Sequence, residues 1–417
     1  MKISVVDIQS RAVEFLVFLS FLFIGADLLS FTVYGFTVRW VQFILILAFF
    51  LLLFKHRIYA EPRSMFFYLL FLFAHILSLI NTSSLLKTSM YIFWIIFSML
   101  FTYLVFYNWA CKKKVREILR IYNLVFRILG FLAVINSLMI LAGIHFFAFG
   151  YDTFHSIPRP SVWFYEPSYL ATYMMFYYGI NLYLYFFSQN MEDKKRAKLD
   201  LFLSIFFIAI ITSTAGYIGL IIGILMLSIV FVLKTKISSR VIKRIAVLAG
   251  FSLVVYFLIV IIKPEINAIF VQRIVSLVKD QASVEGASGG RTSMWSILWI
   301  DFLKNPIVGV GAGAYQNYAK IDYPPSNVSL EILVTTGIVG GVAFLLFILH
   351  HVFLGTLKPI QYNYELIILQ SMVFAFVLFF LTLQTNQNYL RPYMWMHLGL
   401  IAGIYSNIKA INSHESN

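Results

Sequence analysis

The sequence predicts an all-α protein, a polytopic membrane bundle of about twelve transmembrane helices with one long extracytoplasmic loop carrying interfacial helices. Three observations predict it. Hydrophobic residues make up 61% of the 417 residues and charged residues 12%, where a soluble domain runs about half apolar and about a quarter charged. The apolar residues fall into separate runs of roughly 20, the length that carries a helix across a bilayer core of about 30 Å. The basic residues behind the net charge of +14 sit in short clusters between alternate runs. That pattern marks topology, not a nucleic-acid partner.

In chain order the runs are Val13–Leu29, Trp40–Phe54, Met65–Ile80, Tyr91–Tyr107, Ile121–Leu141 and Pro167–Phe187. They continue with Leu201–Ser213, Tyr217–Leu233, Ala246–Ile262, Val328–His350, Leu366–Leu383 and Pro392–Ile408. The seventh and eighth are short and close enough to form a tight hairpin. The first has no small-residue cleavage site before Ala26-Asp27 and reads as an uncleaved helix. Lys55, Arg57 and Arg63 follow the second run, and Lys112, Lys113, Lys114, Arg116 and Arg120 follow the fourth. Lys194, Lys195, Arg196 and Lys198 follow the sixth; Lys234, Lys236, Arg240, Lys243 and Arg244 follow the eighth. All four clusters occupy even-numbered connections. Positive charge is retained in the cytoplasm, so both termini are expected there, in a multi-pass protein of a bacterial inner membrane. The chain 1–417 reads as a single polytopic domain. Cys111, the only cysteine, excludes a disulfide framework and a thiolate metal site.

Two outward segments exceed a turn: an outer loop over 143–166 and a long periplasmic loop over 263–326. Inside the second, Trp295, Leu298, Trp299, Phe302 and Leu303 recur at helical spacing. This helix either lies at the outer headgroup level or packs onto the top of the bundle.

Polar residues on the outward side are few. Arg159 and Glu166 lie seven positions apart in the run from His155 to Ser168, just before a helix that opens at Pro167. A carboxylate there either complements the helix dipole or serves as a general base beside a cation that grips an anionic substrate. Arg273 and Arg291 stand in the long loop, and guanidinium groups bind diphosphate through bidentate hydrogen bonds. Thr292 or Ser293 caps the following helix equally well. The stretch Asn305-Pro306-Ile307-Val308-Gly309-Val310-Gly311-Ala312-Gly313 lacks the Gly-Lys-Ser/Thr ending of a P-loop and reads as a sharp turn. The outer loops show no Asp-x-Asp pair or His/carboxylate cluster.

These elements together resemble the O-antigen polymerase and ligase superfamily. The resemblance rests on Arg291 before a helix, on Asn305-Pro306-Ile307-Val308-Gly309-Val310-Gly311, on Ser326-Asn327-Val328-Ser329-Leu330-Glu331 and on Thr336-Gly337-Ile338-Val339-Gly340. Arg159 to Pro167 resembles the family's upstream Arg…Glu/His-Pro motif. Two positions depart from the family pattern. Ser326 stands where ligases carry the histidine of His-Asn-x-x-Leu, and Thr214 stands where members often carry an arginine after the serine ending the seventh span.

The resemblance implies a surface-polysaccharide (O-antigen) polymerase, a membrane glycosyltransferase working at the periplasmic face. It would transfer a growing polyprenyl-diphosphate-linked glycan onto a new lipid-linked repeat unit. The implied chemistry is metal-independent, with no cofactor, consistent with outer loops that carry no Asp-x-Asp pair or His/carboxylate cluster. Its implied partners are that donor and acceptor, the lipid bilayer and a chain-length regulator, with no nucleic acid. The implied catalytic residues are Glu166, Arg159 and Arg291; the implied substrate-binding residues are Arg273, Tyr165, Asn327 and Ser326. A ligase moving finished glycan onto lipid A core, and a lipid-linked oligosaccharide flippase or transporter, remain open. A transporter places ionisable groups near the bilayer midplane, yet Arg127 is close enough to the cytoplasmic end to snorkel, and His75 and His397 are single polar groups. Arg39 and Arg391 also face outward, and nothing in their spacing selects them.

Overall fold

An apolar run in lipid has no water to satisfy its backbone, so it closes every hydrogen bond within itself as a helix. The computed structural model describes residues 5–33, 36–55, 58–144, 146, 149–154, 157–234, 291–315, 326–355, 364–384 and 389–415. The predicted run Ala246–Ile262, Arg273 and the greater part of the 263–326 loop lie outside the described residues. The chain runs α1 (Val5–Phe23), β1 (Ser30–Val33), β2 (Phe36–Arg39), α2 (Trp40–Lys55), α3 (Pro62–Leu77), α4 (Leu85–Phe97) and α5 (Leu104–Lys112). It continues with α6 (Val115–Leu141), β3 (Gly150–Phe154), β4 (Ile157–Val162), α7 (Pro167–Phe187), α8 (Met191–Ile211) and α9 (Thr214–Lys234). After the undescribed stretch come α10 (Arg291–Lys304), α11 (Val328–Leu354), α12 (Tyr364–Leu383) and α13 (Pro392–Glu415).

Among the described residues, six helical stretches have the length and apolarity to cross a membrane: Pro62–Asn81, Leu85–Lys112, Val115–Leu141, Thr214–Phe231, Val328–Leu354 and Tyr364–Leu383. Large apolar side chains such as Phe50, Phe66, Ile135, Leu225 and Phe353 are exposed on the bundle surface, which suits lipid and not water. The chain is a largely helical membrane protein.

Helix ends follow their sequence signals. Glu61 accepts from Ser64 N ahead of Pro62, and Asn190 accepts from Glu192 N at 2.9 Å. Arg391, just before α13, meets Asp27, just after α1, whereas His350 near the end of α11 meets Glu61 at the start of α3. Arg116 stacks over Tyr364 where α6 and α12 begin, and Asn407 of α13 donates to the last carbonyls of α5. Successive spans joined by these contacts therefore alternate in direction, α4 and α5 forming one continuous stretch, Leu85–Lys112. Arg63, Lys112, Arg116 and Lys194 gather at one end of the bundle, the basic end. Both β-hairpins lie at the other, the hairpin end.

Those hairpins depart from an all-α expectation. β1 pairs antiparallel with β2 from Ser30↔Arg39 to Val33↔Phe36, and β3 with β4 from Gly150↔Val162 to Phe154↔Ile157. These segments are too short and too rich in β-branched and aromatic residues for a helix, so the backbone satisfies itself by pairing across a turn. The first helix also ends at Phe23, earlier than the predicted run, which leaves Asp27 in a turn outside the helix. α4 and α5 are joined through a π-helical turn at Ser98–Tyr103. Against it, Gly399 and Gly403 of α13 bring a Cβ-free surface to within 2.5–2.6 Å of the Tyr103 and Tyr107 carbonyls, measured from where a Cβ would stand. Small residues one helical turn apart permit this close crossing.

α10 buries Met294, Leu298 and Phe302 in a small cluster with Val310, Tyr315 and Val334. It exposes Ile297, Trp299, Ile300 and Leu303. The buried edge of this helix is thus shifted from the predicted Trp295/Trp299 face, because Met294 and not Trp295 reaches the core. The helix packs on the bundle and keeps an apolar face outward.

α11 is broken at Gly337, whose φ of 65° and ψ of −165° are non-helical. The Asn305–Gly313 turn repairs the break. Val310 N and Gly311 N donate to the Val334 and Thr335 carbonyls at 2.9 and 3.0 Å, while Ile338 N and Val339 N donate to the Pro306 and Ile307 carbonyls at 2.8 and 3.3 Å. The amides of Asn305, Gly309, Val310 and Gly311 are therefore bonded to protein carbonyls, which accounts for the turn. A Cβ at Gly337 would stand 2.2 Å from the Ile307 oxygen, and one at Gly309 2.4 Å from the Thr335 carbonyl carbon. Gly337→Ala is expected to lose about 1–3 kcal/mol or more through overpacking, read as a lower thermal midpoint of the purified protein. An exposed lipid-facing control, Leu345→Ala, is expected to shift it far less.

Candidate functional site

At the hairpin end, three stretches distant in sequence converge on one carboxylate. Asp27 follows α1 in a turn held by Ala26 N→Phe23 O and Asp27 N→Gly25 O, both 2.9 Å. Arg39 closes β2 and donates Nε to Asp27 Oδ1 at 2.6 Å. Arg391, immediately ahead of α13, donates Nη1 to both Asp27 oxygens at 2.9 Å. Tyr165 N approaches Oδ2 at 3.4 Å. Arg391 also lies over the Tyr169 ring at 4.0 Å, a cation–π contact. Burial alone would push the Asp27 carboxyl up. Arg391, Arg39 and the Tyr165 N–H outweigh it and hold the group below its ordinary value. One carboxylate against two guanidiniums leaves this cluster with a net positive charge.

Glu166 occupies the N-cap position of α7, ahead of Pro167. Its side chain makes no capping bond to the helix backbone; instead it accepts from Ser168 Oγ at 2.9 Å and is exposed. Local hydrogen bonding therefore does not consume the carboxylate. Glu166 follows Tyr165, whose backbone N–H reaches Asp27 Oδ2, so the chain carries it directly out of the cationic cluster. The Tyr165 side chain is 66% exposed beside it, so its hydroxyl is available to a ligand.

Arg159 sits on β4 and donates Nε to the Thr212 carbonyl at 3.2 Å. Thr212 is left-handed (φ 50°) in the turn between α8 and α9, next to Ser213-Thr214, where the resembling family often carries an arginine. The β3–β4 hairpin delivers a guanidinium to that turn from elsewhere in the chain. Arg159 and Glu166 are not hydrogen-bonded to each other. The cations of the Asp27 cluster, reached through the Tyr165 backbone just ahead of Glu166, are Arg391 and Arg39, which sequence spacing did not select. Their signal was faint: Asp27 is an acid at the end of an apolar run, and only the fold shows which arginines it gathers.

Arg291 is the first residue of α10; its side chain, like all of Arg273, lies outside the described residues. Asn327 is the N-cap of α11, accepting from Leu330 N at 2.9 Å, and Ser326 precedes it with φ 52°. Five residues on, Glu331 is fully buried, and neither carboxyl oxygen has a hydrogen-bond partner among the described residues. Tyr91, Tyr315 and Tyr389 lie around it, and Tyr389 is hydrogen-bonded to His75 Nε2 at 2.9 Å. The sequence motif ran through Glu331 without assigning it a role, because its burial is visible only in the fold.

The supposed midplane groups are internally satisfied. Arg127 forks onto the buried Asp200 with Nε at 2.7 Å and Nη2 at 2.9 Å, while its own side chain stays 38% exposed toward the basic end. His397 pairs with Tyr122 OH at 2.6 Å and the Met372 carbonyl at 2.8 Å.

The O-antigen ligase family model matches residues 201–345, from α8 through the glycine turn into α11. No curated protein matches the chain.

Replacing Asp27 with Asn would leave two poorly exposed guanidiniums without their counter-charge. Loss of one partner from such a buried pair costs about 3–5 kcal/mol, so Asp27→Asn is expected to lower the thermal midpoint and membrane yield sharply. Because the Asp27 pKa is depressed on folding, its stabilisation is complete above the unfolded value of about 4 and is lost as pH falls through the depressed value. A wild-type melt series should therefore show this contribution intact at pH 5–7 and fading only below about 4.

Proposed function

We propose that this chain, a member of the O-antigen polymerase and ligase superfamily, is a surface-polysaccharide polymerase. It transfers a growing polyprenyl-diphosphate-linked glycan onto a second lipid-linked repeat unit. The observation that carries the reading is Glu166, an exposed carboxylate bonded among the described residues to Ser168 alone and following Tyr165, whose backbone N–H reaches the net-positive Asp27–Arg39–Arg391 cluster. The hairpin end is taken as the periplasmic face, since the basic clusters gather at the opposite end. The bundle is read as about twelve spans in an inner membrane, with both termini cytoplasmic.

In the proposed step the acceptor sugar hydroxyl attacks the anomeric carbon of the donor. The new glycosidic bond forms as the bond from that carbon to the diphosphate oxygen breaks. Polyprenyl diphosphate leaves with the electron pair, and Glu166 takes the hydroxyl proton. Arg159, at the α8–α9 turn, and Arg291, at the head of α10, stabilise the charge gathering on the departing diphosphate. Arg273 adds a further grip. Tyr165, Ser326 and Asn327 contact sugar hydroxyls. Guanidinium groups then do the work a divalent cation does elsewhere.

The matching family bears the name of the ligases, so transfer of finished glycan to lipid A core is the second reading. Ser326 favours the polymerase, because a hydroxyl does not replace an imidazole as an acceptor-activating base at neutral pH.

Complementation of a deletion strain tests both. Wild type is expected to restore a ladder of long chains. Glu166→Gln should lower polymerisation by about 10²–10⁴-fold at matched membrane levels, and Arg159→Ala or Arg291→Ala should leave single repeat units. Full-length chains stranded on the lipid carrier in the deletion strain would identify a ligase instead, and intracellular repeat units a transporter.

A further inference from the structure

The proposed reaction uses nothing at the basic end, yet a pocket of about 510 Å³ opens there between α6, the end of α7 and the start of α8. That volume suits a small-molecule site. One wall is a single stripe of α6: Arg116, Arg120, Asn123 and Arg127 recur at i, i+4, i+7 and i+11 and so share a face. Two of its three guanidiniums are held in place. Arg116 stacks over the Tyr364 ring at 4.6 Å, and Arg127 is forked onto Asp200. Asp200 is only 1% exposed and accepts from Asn123 and Tyr177 as well, so its charge is already committed. Arg120 lies between the two, exposed and with no ion pair among the described residues.

The opposite wall belongs to α8. Arg196 pairs with Glu192 at 3.8 Å. Asp193 keeps a buried Oδ2 with no hydrogen-bond partner among the described residues. Once these pairings are made, the pocket retains Arg116 and Arg120 on the α6 wall and Asp193 on the α8 wall. A phosphodiester takes bidentate bonds from guanidinium, and a carboxylate takes an ammonium. A phosphoethanolamine headgroup carries both on one two-carbon arm. α6 is one of the helices with the length to cross a membrane, and Arg116 and Arg120 lie in its first two turns, ahead of the apolar run from Ile121, the depth at which headgroups lie. Leu119 and Leu184 add apolar lining for the start of an acyl chain.

We propose that this pocket binds the headgroup of a phosphoethanolamine phospholipid, with its phosphate on Arg116 and Arg120 beside the fixed Arg127 and its ammonium on Asp193. The test uses full-length protein stripped of endogenous lipid. It is offered phosphatidylethanolamine, phosphatidylglycerol or phosphatidylcholine of matched acyl chains, with and without inorganic phosphate, and retained lipid is counted by native mass spectrometry. Wild type should retain one phosphatidylethanolamine about tenfold more tightly than phosphatidylcholine. The double variant Arg116→Ala/Arg120→Ala should lose it. Asp193→Asn, a milder change, should hold phosphatidylglycerol as wild type does while losing the preference for the amine. Equal retention of all three lipids by wild type, or unchanged retention in the double variant with its melting profile intact, would overturn the proposal. Displacement of the lipid by millimolar inorganic phosphate would overturn it too, by making free phosphate the ligand.

Discussion

A membrane helix that breaks must find new partners for the backbone groups it frees, because lipid supplies none. α11 breaks at Gly337, and the Asn305–Gly313 turn gives it back four hydrogen bonds, two from its own amides and two to its own carbonyls. Neither piece is stable without the other. The exchange requires backbone against backbone, which is why Gly309 and Gly337 have no room for a Cβ. Asn81 and Thr88 then clasp the turn from outside, at the Gly309 and Ala312 carbonyls. The position of α10, and with it Arg291, follows from this weave, since Leu298 and Phe302 pack on Val310 and Val334 beside the break.

A second constraint sets the other side of the site. Asp27 draws Arg39 from the first hairpin, Arg391 from the head of α13 and the Tyr165 backbone into one cluster. Buried ion pairs are weak contributors to net stability but strong determinants of arrangement once one member is in place. Here the arrangement fixes the approach to α7, so that Glu166 emerges at the helix start with its carboxylate uncommitted to a cap. The same contacts leave one unneutralised positive charge in a cluster that touches the backbone one residue ahead of that carboxylate. In the proposed reaction a base and cations on rigid elements suit the transfer of a proton while an anionic group departs.

Much of the fold was legible in the sequence because lipid imposes a simple rule on helix length and composition. Helices fall on each predicted run that the structure describes, and the described residues of the first three basic clusters gather at one end, the fourth lying almost wholly outside the described residues. Proline at 167 marked a helix start correctly, and the run predicted from Val328 opens as a helix there. What stayed hidden depended on pairing across the chain. The carboxylate that holds Arg127 was not legible because Asp200 lies in a different helix. Arg391 and Arg39 looked like any surface arginines because Asp27 is hundreds of positions from one of them. The hairpins were missed because short extended segments carry no strong period, and the glycine run was recognised as a turn without any sign of the helix it completes.

The central claim is that the chain joins one lipid-linked repeat unit to another. The most direct measurement is reconstitution of the purified protein in liposomes with a synthetic polyprenyl-diphosphate-linked repeat unit as the sole substrate. Chain length and released polyprenyl diphosphate are then followed by mass spectrometry. The account predicts products of two and more repeat units, with one polyprenyl diphosphate released for each linkage formed. Absence of any elongation, with transfer appearing only when lipid A core is added, would contradict it.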